Sequence, residues 1–333
     1  MKYLIFGGTG SLGYALNKDL LEQGHDVINF SRDEQKHWKM KLHFHNNEMQ
    51  QFIVGDATNY PMVKQAVVRT QPDVVIIAQA MKHIDLAEKD IEACLHNNLK
   101  SVRTVLDVCE EFHTGTVVFI SSDKACSPIN SYGMCKALCE NLVMNKALNV
   151  SPTGPSQRYL CVRYGNVLNS NGSIIPTLHK KGQDPDFAHF TITHNDMTRF
   201  CMTLDEAVDL IKVAIRYGRN GDTYIPILRS MKIKHLIELF AEKYNKPIVE
   251  TGVRTGEKLH EALINETQSI RTEEEYLCGE TMTNLKVSDV PTYYVIKSIH
   301  DLGIRNLEPK QYDSSKPISK SSLKTFLESN KLL

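Results

Sequence analysis

No two of the eight cysteines (94, 109, 126, 135, 139, 161, 201 and 278) stand in a C-x-x-C pair. Cys135 and Cys139 are one helical turn apart but have no neighbouring His or Cys set, so neither a zinc site nor a disulfide framework is signalled. The expectation is reduced, partly buried thiols and no metal. Charge of one sign is also missing: Lys plus Arg and Asp plus Glu both total 39. Without a basic surplus to neutralise phosphates, nucleic acid is excluded as the expected partner. No apolar run approaches a membrane-spanning length. The opening MKYLIFGG has a lysine and a glycine turn where a secretory signal needs a longer apolar stretch. A cytoplasmic, untethered protein is expected. Repeats, low-complexity tracts and clean linkers are absent as well. His37, His43 and His45 fall in a polar stretch and read as a solvated loop.

What is present is enough chain, 333 residues, to bury a full core. Short β-branched or aromatic runs recur at 3–6, 27–30, 52–54, 74–78, 117–120 and 160–164. Between them lie helical spacings such as Leu12, Ala15, Leu16, Leu20, Leu21 and Leu95, Leu99, Val102, Val105, Leu106. Strand alternating with helix predicts an α/β fold, a Rossmann-type doubly wound parallel sheet. Residues 1–165 read as a dinucleotide-binding domain with a return segment near 197–225. Residues 166–196 and 226–333, richer in Gly, Asn, Pro and Thr connections, read as a smaller, discontinuous substrate-binding lobe.

The first strand runs into Gly7-Gly8-Thr9-Gly10-Ser11-Leu12-Gly13, and Gly7, Gly10 and Gly13 have G-x-x-G-x-x-G spacing. Such a turn before a helix lets backbone amides approach a pyrophosphate. Where an NAD site would place a carboxylate after the second strand, the chain has Ser31-Arg32, with Lys36 a turn later. A hydroxyl, a guanidinium and an ammonium suit a 2′-phosphate, so the expected cofactor is NADP; a solvated pair beside Asp33 and Glu34 is the alternative. Strand order alone places Asp56 and Ala57 near the adenine and Ala78 to Ala80 beside the cofactor.

Tyr132 and Lys136 stand at i and i+4 of a helix, just beyond a strand ending in Ser121-Ser122-Asp123-Lys124. The lysine charge is expected to lower the tyrosine pKa so that the phenolate can take a proton from a sugar hydroxyl. Asp123 and Lys124 add an acid and an amine that simple alcohol oxidation does not need but dehydration does.

These residues resemble the soluble, inverting UDP-N-acetylglucosamine 4,6-dehydratases. The resemblance covers nearly the whole chain: Gly7 to Gly13, Ser31 to Glu34, Lys82-His83, Ser121 to Ala125, Pro128 to Asn130, Tyr132 to Lys136, Arg163 to Val167, Gly172 to Pro176, Met197 to Phe200, Ser230 to Ile233 and Gly256 to Glu261. The resemblance implies C4 oxidation with Tyr132 as base, assisted by Lys136 and Ser122. Loss of water across C5–C6 follows, with Lys124 or Asp123 as the C5 base. The resemblance leaves the division open; Lys124 as base with Asp123 as acid is the assignment favoured here, since an ammonium beside a bound cofactor can lose its proton if its pKa is depressed. Hydride return to C6 and reprotonation of C5 from the opposite face then give a 4-keto-2,6-dideoxy-L-hexose. By the same resemblance Lys82 and Asn98 frame cofactor and sugar. Asn166, Ile175, Thr193, Arg254 and Glu257 hold the UDP-N-acetylhexosamine, and the enzyme is a homodimer or larger homo-oligomer, paired through helices near 93–109 and 135–147. The chain departs from the family at Ser122, usually Thr, and across Thr193 to Asp196. A Met at the Tyr132 position and membrane spans would mark the retaining relatives, and the chain has neither. A nucleotide-sugar 4-epimerase and a non-catalytic cofactor sensor remain as alternatives.

Overall fold

The computed structural model describes residues 1–276, 292–299 and 310–333. The apolar runs become β1 (Lys2–Phe6), β2 (Asp26–Ser31), β3 (Gln50–Val54), β4 (Val74–Ile77), β5 (Thr116–Ile120) and β6 (Arg158–Val162). They lie parallel in the order β3-β2-β1-β4-β5-β6. A strand buried on both faces needs apolar side chains at every position rather than alternation, and all four residues of β4 are buried. One face packs Phe6, Phe30, Val105, Leu106 and Tyr159; the other packs Ile5, Leu16, Val118, Ile211 and Ala214. Chain order reverses between β1 and β4, which opens a crevice beyond their carboxyl ends.

The return segment supplies the helix Leu204–Tyr217, opened by a capping box between Thr203 and Glu206, and the strand Thr223–Pro226, parallel to β6. Two strands that the sequence reading assigned to the second lobe, Thr292–Ile296 and Thr272–Tyr276, extend this same sheet antiparallel to nine strands. The second lobe has its own core of Leu168, Ile175, Phe190, Met231, Phe240 and Leu323. The stretch read as one helix from residue 93 is broken: Ile91–Cys94 and Ser101–Glu111 are α-helical, and Leu95–Lys100 between them is a π-helix. The supposed histidine loop contains a helix, Glu34–His43, capped by Asp33, with His37 buried.

Candidate active site

A cleft of about 870 Å³ lies at the carboxyl ends of β1, β2, β4 and β5. Gly7, Thr9, Gly10, Ser11, Leu12, Gly13, Ser31, Arg32, Lys36, Asp56, Ala57, Ala78, Ala80 and Lys82 all line it. Gly7 sits at φ +83°, and a Cβ there would lie 2.7 Å from the backbone nitrogen of Gln79, so only glycine lets the turn reach β4. The helix that follows, Ser11–Glu22, has no side-chain cap and leaves its first amides open to a ligand. These features fit a dinucleotide pyrophosphate. Loop 169–173 from the second lobe crosses the turn: Asn171 N donates to Ser11 Oγ (2.9 Å), and Lys82 Nζ donates to Asn171 O (2.6 Å).

At the adenosine end Arg32 Nη1 donates to Asn97 Oδ1 (2.9 Å) and Lys36 pairs with Asp33 (3.1 Å). Asn98 does not line the cleft. It faces inward from the π-helix, its Oδ1 accepting from Met81 N (2.7 Å), and so positions the loop after β4, while its neighbour Asn97 faces the cleft. A single inserted residue in the helical turn decides which asparagine points where, and no periodicity in the sequence reveals it.

At the other end Ser122, Lys124, Tyr132 and Lys136 line the cleft. The segment after β5 is held by Ser121 N donating to Val162 O and Asp123 N to Tyr164 O. Gly133 lets the helix Ser131–Leu148 press against it, since a Cβ there would lie 2.3 Å from Lys124 O. Asp123 is wholly buried, just behind the wall; its Oδ1 accepts from Ser122 Oγ (2.9 Å) and Lys124 Nζ (3.0 Å), and its Oδ2 has no hydrogen-bond partner. On its other side Lys124 Nζ lies 3.8 Å from Glu261, a buried carboxylate that also faces Arg199 and Lys258. Burial pulls Lys124 down, but Asp123 and Glu261 outweigh it and hold the ammonium above the ordinary lysine value. Burial pushes Tyr132 up to about 12, opposed by Lys124 and then by the Ser122 hydroxyl.

Among nearby charges, that of Lys124 opposes this rise in Tyr132 most. Lys136 turns away, donating to Ile120 O (2.7 Å) over the Phe119 ring, and burial lowers it to about 8. Asn166 lines the cleft, but Ile175 is buried in the second lobe's core and Ile174 takes the lining place. Thr193, Arg254 and Glu257 lie outside the cleft wall. Thr193 Oγ1 contacts Met197 Sδ (3.4 Å), and Arg254, with its side chain 63% exposed, is 4.0 Å from Glu257. Glu261 and Asn97 are functional candidates that the sequence did not single out. Glu261 carried a signal, as the last residue of the Gly256 to Glu261 block, and Gln79, which lines the cleft, fell within the Ala78 to Ala80 stretch. Among the described residues no group of His, Cys, Asp and Glu could hold a metal, and no helix is long and apolar enough to cross a membrane.

The chain is 33% identical, over 98% of its length and 96% of the relative's, to a UDP-N-acetylglucosamine 4,6-dehydratase (inverting) of Campylobacter jejuni. It is 34% identical to a UDP-glucose 4-epimerase of Rickettsia felis, over 81% of this chain and 80% of that one. The X-ray structure of Pen from Bacillus thuringiensis matches with a TM-score of 0.86 at 28% identity, covering 98% of both chains. Residues 3–280 match the model of the polysaccharide biosynthesis protein family, and the chain belongs to that family.

Proposed function

We propose that this protein is an inverting UDP-N-acetylglucosamine 4,6-dehydratase that works with NADP. The observation that carries the reading is the acid–ammonium pair of buried Asp123 and cleft-lining Lys124, beside Tyr132. An epimerase needs a base at O4 and no second acid–base pair. The similarity over nearly the full length to the Campylobacter dehydratase supports the same choice, since the epimerase matches stop near four-fifths.

A dinucleotide held by the glycine turn would supply a reversible hydride acceptor for the oxidation at C4 and the reduction at C6. Tyr132 takes the O4 proton; Ser122 and the Lys124 charge oppose the burial that holds the phenol neutral. The 4-keto group acidifies C5. Lys124 is an ammonium in the free site, so before it can take the C5 proton it passes its own across the 3.0 Å contact to Asp123 Oδ1. That transfer leaves an amine facing C5 and a carboxylic acid to protonate the departing C6 hydroxyl. The proton so gained stands on Oδ1, and it is Oδ1 that hands it on to the departing hydroxyl. Lys136 holds the end of β5 at the cleft wall in place through Ile120. Ser31, Arg32 and Lys36 receive the 2′-phosphate, and Asn166 the sugar nucleotide. The exposed apolar side chains Met134 and Leu138, beside Ile91 and Leu95, provide the face through which two copies pair.

Incubation with UDP-N-acetylglucosamine in heavy water, followed by proton NMR and mass spectrometry, tests the reading. Loss of one water, a new C6 methyl and deuterium at C5 are expected, with H5 coupling of the inverted centre. An isomer of unchanged mass would establish the epimerase instead, and an unchanged sugar would remove this substrate.

A further inference from the structure

The helix Glu34–His43 leaves the adenosine end of the cleft with one face against the sheet. His37 is on that face, 4% exposed, its ring 5.2 Å from that of Phe52. It does not line the cleft. Its Nε2 lies 2.7 Å from Ser31 Oγ, and Ser31 Oγ lies 3.0 Å from Thr9 Oγ1; both hydroxyls do line the cleft. The other ring nitrogen, Nδ1, is buried with no hydrogen-bond partner.

That orphan nitrogen decides the tautomer. A proton on Nδ1 would bury an N–H that nothing accepts, whereas a proton on Nε2 leaves only a bare lone pair, and buried orphan donors are the rarer and costlier of the two. Burial also disfavours the imidazolium, with Asp33 acting in the opposite sense, so the ring is neutral. Nε2–H therefore donates to Ser31 Oγ. A hydroxyl has one proton, and with its lone pair on the His37 side engaged, Ser31 sends that proton toward Thr9 and the cleft. Arg32 and Lys36 present donors alone, and Ser31, with one lone pair taken by His37, presents its proton and a single remaining lone pair. A phosphate offers only acceptors and can take a donor from each of the three; a ribose hydroxyl engages fewer of them.

We propose that His37 is a positioning residue for cofactor choice: by donating to Ser31 Oγ from behind the cleft wall, it aims the Ser31 hydroxyl at the 2′-phosphate of the dinucleotide. This rests on the NADP reading of the cleft.

Calorimetric titration with NADP+ and with NAD+ tests it without turnover. The unaltered protein is expected to bind NADP+ more tightly. His37→Leu should weaken NADP+ binding about tenfold, the scale of one hydrogen bond to a charged group, and change NAD+ binding by less than twofold. His37→Gln, whose amide can still donate toward Ser31, should regain most of the loss, and in a Ser31→Ala background His37→Leu should add nothing. Equal weakening of both dinucleotides, or a preference that His37→Leu leaves unchanged, overturns the positioning role while leaving the cofactor reading intact. An unaltered protein that does not prefer NADP+ overturns the cofactor reading and the inference together. If His37→Leu does not fold, the cycle of His37→Gln against Ser31→Ala carries the same test: loss of NADP+ preference in His37→Gln equal to that in Ser31→Ala overturns the role, and retention supports it.

Discussion

An ammonium on the cleft wall between two buried carboxylates, as Lys124 is between Asp123 and Glu261, serves the fold and the chemistry at once. Tyr132 differs: its phenol enters no ion pair, so removing the hydroxyl takes away a proton acceptor and little packing. Tyr132→Phe is expected to lower kcat by about 10²–10⁴-fold, the range of general acid–base catalysis, with an unchanged melting temperature. Lys124→Met should lower kcat as much and also destabilise by about 3–5 kcal/mol, because it leaves the buried Asp123 carboxylate without its cation, while Glu261 keeps Arg199 and Lys258. Urea titration beside steady-state kinetics separates the two patterns, and a Lys124→Met protein as stable as the parent would contradict the ion-pair account. At this scale residue types were legible and partners were not. Tyr132, Lys136, Asp123 and Lys124 could be singled out by spacing, but spacing cannot say that Lys136 points to a backbone carbonyl, or that Glu261, 138 residues after Asp123 (261 less 123), completes the cluster.

Among elements, the end of β6 shows how the site is kept rigid. Arg163, 1% exposed, donates from Nε and Nη2 to the two carboxylate oxygens of Glu140 on the helix Ser131–Leu148. Its Nη1 donates to Leu263 O and Gln268 Oε1 in the second lobe (2.7 and 2.9 Å). One guanidinium thus ties the helix that carries Tyr132 to the chain that carries Glu261. Glu140→Gln leaves that charge without its carboxylate and should cost about 3–5 kcal/mol, whereas Glu140→Leu with Arg163→Met should cost far less, since an apolar pair avoids the desolvation of both charges. Equal losses in single and double variants, measured by urea unfolding, would show that packing rather than charge holds the joint. Five of the six parallel strands were readable as apolar runs because they are buried on both faces, and the edge strand β3, half-exposed, was readable only from Phe52 to Val54. The π-helix was not, because one inserted residue leaves the apolar pattern of 95–106 nearly unchanged.

For the whole molecule, the two lobes share one sheet, since Thr272–Tyr276 and Thr292–Ile296 return to its edge after the second lobe has formed. A sequence cut at 226 could not show this, as antiparallel edge strands carry no signal naming their neighbour. The same interleaving leaves every cysteine among the described residues buried. Burial pushes Cys109, Cys139 and Cys201 each from 9.0 up to about 12. Such a thiol is neutral in the folded chain where the unfolded chain has ionised, so the stability present below pH 9 is lost as pH rises toward 12, at about 1.4 kcal/mol per pH unit per thiol. Lys136 acts in the opposite sense: lowered from 10.5 to about 8, it binds its proton more tightly in the unfolded chain, and stability rises between those values. Three thiols against one lysine decide the sign above pH 9. The urea midpoint should therefore fall with pH above about 9, more steeply than in a Cys109→Ala, Cys139→Ala, Cys201→Ala variant, whatever that variant loses at neutral pH. Parallel slopes in the two proteins would mean that the thiols do not govern alkaline unfolding, and that buried phenols such as Tyr132, also raised to about 12, do.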